Sequence, residues 1–172
     1  MKKVLIVVDM LNDFCTEGGA LYFPQSEKVK EFIAKKLQEY QDAREPVIYL
    51  CDAHEVDDLE FKKFPPHAIR NTKGAMIIDS LMPRGRANII IEKRRYSGFY
   101  DTTLEFYLQR LDPSLVEVVG VCTSICVMDT VGGLANRDYN VVVYKDGVAD
   151  FDDAAHEVAL KRMEGLYGAK IA

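Results

Sequence analysis

Two cysteines stand four residues apart in GVCTSICVMDT, Gly120 to Thr130, where an apolar run gives way to a helical pattern. Such thiols could ligate a metal, form a redox pair, pack, or attack an electrophile. Cys15, Cys51, Cys122 and Cys126 show neither the paired C-x-x-C of a zinc cluster nor a redox C-x-x-C. The start, MKKVLIVVDM, lacks the apolar length of a secretion signal, because Asp9 arrives too soon. Free thiols in a reducing, cytoplasmic setting are therefore expected. Near the first turn of the following helix, Cys126 would feel the helix N-terminus and any neighbouring cation. Both lower a thiol pKa and favour a nucleophilic thiolate. Packing is the commoner fate of a cysteine and is the reading for the Cys122 sulfur.

Three more chemical groups close apolar runs. Asp9 follows VLIVV, Asp52 ends PVIYLCD, and Lys93 ends ANIIIEK. Asp9 could take a thiol proton and hand it to a leaving group. Taken singly, Asp9 reads equally well as a solvated acid, and Lys93 as part of the surface run EKRR. Asp52 and His54 are one residue apart in an extended segment, so both can face one side. His67 lies in the same stretch, Cys51 to Ala75, with Glu55, Asp57, Asp58 and Glu60 between. Imidazole with carboxylate suits zinc, manganese or iron at an open site; the alternative is a solvated acidic loop. His156 falls in an amphipathic pattern and is expected on a helix surface. Phe14, Phe64, Tyr96 and Phe99 could line a pocket or pack in the core.

The elements that must position these groups alternate. Strands are expected at Val4–Val8, Pro46–Asp52, Ala87–Lys93, Ser114–Val121 and Asn140–Asp146. Helical patterns lie between them: SEKVKEFIAKKLQEYQDA with Ser26 as its cap, TTLEFYLQRL, SICVMDTVGGLANRDY weakened by Gly132 and Gly133, and DDAAHEVALKRMEGLY. Alternation of this kind predicts an α/β fold, a three-layer α/β/α single domain over residues 1–172 with a mainly parallel, Rossmann-like sheet. Ligands bind beyond the carboxyl ends of such strands. Periodicity alone thus brings two acids, a lysine and a thiol to one edge. The irregular stretch from about Ala53 to Gly74 is long enough to be functional.

Composition narrows the partners. The chain has 172 residues, 28% of them charged, with a net charge of -5. That balance argues against nucleic acid and anionic membrane surfaces. No apolar run approaches the roughly 18 residues of a membrane span. A small-molecule substrate is expected.

With these residues in view, the sequence resembles the cysteine hydrolases of the isochorismatase superfamily, and within it the nicotinamidase branch. The likeness rests on VDMLNDF with Asp9, CDAH…FPPHAIRNTKGA, EKRRYSGFYDT with Lys93, and GVCTSICV with Cys126, in order and at similar spacing. It implies a catalytic triad of Asp9, Lys93 and Cys126, and a cis peptide between Val121 and Cys122. It implies an oxyanion hole from the backbone N–H groups of Cys122 and Cys126. It further implies a divalent metal, zinc before manganese or iron, on Asp52, His54, Glu60 and His67, and a ring pocket of Phe14, Phe64 and Tyr96. The implied reaction converts nicotinamide to nicotinate and ammonia through a cysteine thioester, in a homo-oligomer (dimer or tetramer). A related hydrolase of other amides, ureides or N-carbamoyl compounds would keep the triad without needing the metal. A non-catalytic flavodoxin-like thiol-sensing or binding domain is the reading of a different class. An isochorismatase proper is disfavoured, because that branch lacks the nucleophilic cysteine. The ending YGAKIA is shorter than in longer members.

Overall fold

The computed structural model describes residues 2–85 and 87–172. Met1 and Arg86, inside the expected domain range, lie outside the described residues. Six strands form one sheet: β1 (Lys3–Val8), β2 (Val47–Asp52), β3 (Asn88–Lys93), β4 (Leu115–Val121), β5 (Val141–Ala149) and β6 (Lys170–Ile171). Their order is β3-β2-β1-β4-β5-β6, and every pairing is parallel. The helices are α1 (Asn12–Cys15), α2 (Gln25–Ala43), α3 (Leu104–Leu111), α4 (Met128–Ala135) and α5 (Asp153–Gly165).

Strands buried on both faces explain why VLIVV reads as a continuous apolar run. Leu5 and Val7 pack with Phe14 and Cys15 of α1 and Val29 and Ile33 of α2. Val4, Ile6 and Val8 point the other way, into a second core with Leu104, Leu108, Val131, Leu134, Leu160 and Met163 of α3, α4 and α5. The result is the expected α/β/α sandwich. No helix among the described residues is long and apolar enough to cross a membrane.

The strand order reverses beside β1. Chain order runs outward through β2 and β3 on one side and through β4, β5 and β6 on the other. In an open parallel sheet that switch point opens a crevice at the carboxyl edge. It lies between β1, which ends before Asp9, and β4, which ends before Cys122.

Gly120 brings these two strands together. Its φ is +119°, and a Cβ there would meet the backbone oxygen of Val8 at 2.1 Å. The β4–β5 register also shifts between Val118 and Gly120. Both the dihedral and the close approach demand glycine. Gly120→Ala is therefore expected to lower stability by about 3 kcal/mol or more, read as a fall in the urea midpoint.

Several local expectations are corrected. Ser26 does not cap α2: the helix starts at Gln25, and the Ser26 hydroxyl donates to the Phe23 carbonyl at 2.7 Å. β5 runs past Asp146 to Ala149, and the two-residue β6 was not anticipated. Gly132 and Gly133 are not weak points of α4 but packing sites. A Cβ on Gly133 would come within 2.5 Å of the Phe99 ring, and one on Gly132 within 3.1 Å of Tyr167. Phe99 is thus a packing ring, half-buried in the second core. The connection from β2 to β3 spans the whole interval after Asp52, interrupted by 3-10 turns at Leu59–Lys62, Lys73–Ala75 and Asp79–Leu81.

Candidate active site

Asp9 leaves β1 with a left-handed backbone, φ +49°, which is uncommon for a residue other than glycine. Its own N–H donates to the Leu50 carbonyl at 2.9 Å, and its Oδ1 accepts the Asp52 N–H at 2.8 Å. These bonds aim the carboxylate into the crevice. Lys93, at the end of β3, reaches across β2. Its Nζ donates to Asp52 Oδ1, lies 2.8 Å from Asp9 Oδ2 and 3.4 Å from Cys126 Sγ. Asp9, Asp52, Lys93 and Cys126 are all buried. The structure brings together the two acids, the lysine and the thiol that the strand ends predicted, and excludes the solvated readings of Asp9 and Lys93.

Burial sets the electrostatics. Desolvation, with Asp52 beside it, pushes the Asp9 carboxyl up to about 6, against the pull of Lys93. Burial likewise disfavours the Lys93 charge, yet Asp52 and Asp9 outweigh it and hold the ammonium well above the usual lysine range. Asp52 lies below the usual carboxylate range, because Lys93 overcomes the cost of its burial. The Cys126 thiol departs from expectation. Burial pushes it well above the ordinary cysteine value, and Lys93 only opposes that rise. The helix start does not produce a resting thiolate. Burial favours the protonated thiol at Cys126, beside the Asp9 carboxylate.

The turn that carries Cys126 is wider than an α-turn. Thr123–Val127 forms a π turn leading into α4, and the Ile125 and Val127 N–H groups both donate to the Cys122 carbonyl. The peptide between Val121 and Cys122 is cis, as the resemblance implies. Asp150, just past β5, is buried and accepts the Ser124 N–H at 2.7 Å. His156 is half-buried rather than a free surface residue, and its Nδ1 lies 2.9 Å from Thr123 Oγ1. Sequence reading missed both anchors, since each meets the turn only through tertiary contact. The Cys122 thiol is buried, and burial reinforced by Asp150 lifts it well above its usual value, which leaves the sulfur inert.

A second cluster adjoins the first. Donor atoms of Asp52, His54 and His67 lie within 4.8 Å of one another, and all three residues are buried. His54 Nε2 and His67 Nε2 are 3.6 and 4.0 Å from Asp52 Oδ2. The Nδ1 of His67 lies 2.8 Å from the Pro65 carbonyl, which can only accept, so in the neutral ring Nε2 carries the lone pair. His54 Nε2 is buried without a hydrogen-bond partner. Two imidazole nitrogens and a carboxylate converging with one nitrogen unsatisfied fit a divalent metal of the zinc class. Glu60 borders the cluster, with Oε1 3.9 Å from His67 Nε2, but its donor does not join the three-residue set. Of the other acids of the loop, Glu55 and Asp57 are exposed.

Members of both clusters face one cavity of about 320 Å³. Phe14, Phe64 and Tyr96 line it as expected, with Leu21, Ile125 and Phe151 in addition. Phe14 and Phe64 stand edge-on to His67, with ring centres 5.5 and 6.2 Å away. Asp9, Asp52, Glu60, His67 and Cys126 also face this space.

Comparison with known proteins agrees with this geometry. The Isochorismatase domain matches residues 3–172. A nicotinamidase/pyrazinamidase from Bacillus subtilis superposes over all of both chains, with a TM-score of 0.95 and 32% identity. An N-carbamoylsarcosine amidase from Thermoplasma acidophilum is 31% identical, with a TM-score of 0.89 over 99% of this chain and 95% of its own. A pyrazinamidase from Pyrococcus horikoshii, solved in complex with zinc, is 27% identical, with a TM-score of 0.92 over 100% and 99%.

Proposed function

We propose a reaction for this chain, which belongs to the isochorismatase family and is a hydrolase of amide C–N bonds: metal-dependent conversion of nicotinamide to nicotinate and ammonia through a thioester on Cys126. The observation that carries the reading is that Asp9 and Cys126, backed by Lys93, and Asp52 and His67, backed by His54, face one aromatic-walled cavity.

Cys126 Sγ attacks the amide carbonyl carbon as its proton passes to Asp9. Lys93, 3.4 Å from the sulfur, balances the negative charge that builds there. The carbonyl oxygen becomes an oxyanion and takes hydrogen bonds from the Cys122 and Cys126 N–H groups, each such donor contributing roughly 3 kcal/mol. The Ser124, Ile125 and Val127 N–H groups already have acceptors. Asp9 returns its proton to the departing nitrogen, the C–N bond breaks, and ammonia leaves. Asp9, a carboxylate once more, then takes a proton from water as it attacks the thioester carbonyl; the C–S bond breaks, the acid product leaves, and Asp9 hands the proton to the sulfur to restore the thiol. Asp52, His54 and His67, with Glu60 at the border, would hold a divalent metal, which when bound would supply Lewis acidity toward a ring nitrogen and so help orient the substrate.

The test is ammonia release from nicotinamide by metal-replete protein, with and without chelator. Turnover is expected, with a fall of about 10²-fold in kcat/KM on chelation, the scale of lost substrate orientation, and recovery on adding zinc. No turnover by metal-replete protein overturns the assignment. Turnover of an N-carbamoyl compound that chelator leaves unchanged would instead favour the second reading, which the likeness to the N-carbamoylsarcosine amidase supports.

A further inference from the structure

The geometry points to Asp58, gripped by Arg95, as a positioning residue for the metal cluster, one that fixes the tautomer of His54 and sets the turn carrying Glu60. This rests on the reading of Asp52, His54 and His67 as a metal site.

Asp58 is one of several acids in its loop, and its spacing gave no reason to single it out. In the fold its carboxylate is 4% exposed. Arg95 Nη1 lies 3.0 Å from both of its oxygens. Oδ1 also accepts the Glu60 N–H at 2.9 Å, heading the 3-10 turn Leu59–Lys62. Oδ2 is 3.1 Å from His54 Nδ1. A carboxylate paired to a guanidinium is ionised and can only accept. The hydrogen between Asp58 and His54 is therefore on Nδ1.

A neutral imidazole has one N–H, so this bond strips Nε2 of its hydrogen. That nitrogen is the buried, unpartnered atom facing Asp52 and His67. His67 reaches the same state through the Pro65 carbonyl. Both rings thus present a lone pair to one point, each fixed from behind by an acceptor. A carboxylate in that place also raises the basicity of the ring it holds. Arg95 matters because it lies just past β3, whose last residue is Lys93, in the segment that supplies Tyr96 to the cavity wall. Its pairing with Asp58 ties the β2–β3 connection to that segment.

Two measurements test this, neither of them activity. In the apoprotein, at a pH where the ring is neutral, long-range nitrogen NMR of labelled histidines should show His54 with its hydrogen on Nδ1. Asp58→Ala should lose that preference. Zinc alone, titrated against a chromogenic chelator, should bind about 10- to 100-fold more weakly to Asp58→Ala, the usual cost of removing a ligand's outer partner. Arg95→Met, which keeps the carboxylate, should show a smaller loss. If Asp58→Ala does not fold, Asp58→Asn, which is isosteric and can still cap Glu60, carries the zinc comparison and should weaken binding in the same direction. A wild-type protein that takes up no zinc overturns the metal reading itself. Wild-type zinc binding that the Asp58 variants leave unchanged, or an Nε2–H ring at His54 in the wild type, overturns the role of Asp58 alone.

Discussion

Cys126→Ala is expected to abolish ammonia release while Cys122→Ala retains much of it. The first change deletes the atom that forms the thioester, and kcat should fall by about 10⁴- to 10⁶-fold, the order seen when a nucleophile is removed. The second change removes a buried sulfur that burial and Asp150 hold protonated, and leaves the Cys122 N–H in place as an oxyanion donor. Activity should stay within about tenfold of wild type, because that donor is a backbone group. Asp9 is already held near 6 by burial and Asp52, so at neutral pH most molecules carry the carboxylate that receives the thiol proton. Steady-state kinetics on the two variants, with folding checked by circular dichroism, decides the matter. Equal losses in both would refute the division of labour between side chain and backbone.

The second large effect concerns Lys93, and it falls on the fold before the chemistry. Lys93→Met leaves Asp9 and Asp52 buried without their cation. Breaking a buried pair by removing one partner costs about 3–5 kcal/mol, a large part of the roughly 5–15 kcal/mol that holds a typical domain together. The urea midpoint at pH 7 should drop accordingly. The deficit should narrow as pH falls. Without the ammonium, Asp52 loses the charge that holds it below the ordinary range and Asp9, already raised to about 6, loses the pull that opposes its rise, so the folded form of the variant binds protons more readily than the wild type and recovers stability on acidification. Arg94→Met is the control: Arg94 pairs at the surface with Asp101, is half exposed, and should change stability by no more than about 0.5 kcal/mol. Equal midpoints for the Lys93 variant and wild type would mean that the lysine does not neutralise the acids.

The contrast between Lys93 and Arg94 also marks what could be read from the amino acids alone. EKRR looks like a solvated run, and only the apolar ANIII before it signals that its lysine ends a strand at the sheet's carboxyl edge. The same rule located Asp9, Asp52 and the Cys126 turn, because β-branched runs buried on both faces end abruptly where the chemistry begins. The α/β/α layering followed from the same alternation. Groups that act through long-range contact stayed hidden. Asp58, Asp150 and His156 reach Arg95, Ser124 and Thr123 across 37, 26 and 33 positions, and nothing in their local patterns distinguishes them from other acids or from a helix-surface histidine. The resting state of Cys126 was misjudged for a related reason. A helix start can be inferred from sequence, but the depth of burial that outweighs it comes from the packing of both cores around the turn. β6 was too short to leave a periodic trace.

Asp52 links the two halves of the cavity. One oxygen accepts from Lys93, and the other faces His54 and His67. The nucleophile and the metal ligands are therefore not separable modules. A substitution on either side changes the load on a carboxylate that the other side also uses, so its effect depends on the residues already present across the cavity. Variation that retunes the ring-binding half is constrained to keep the hydrolytic half balanced, and the order in which such changes accumulate matters.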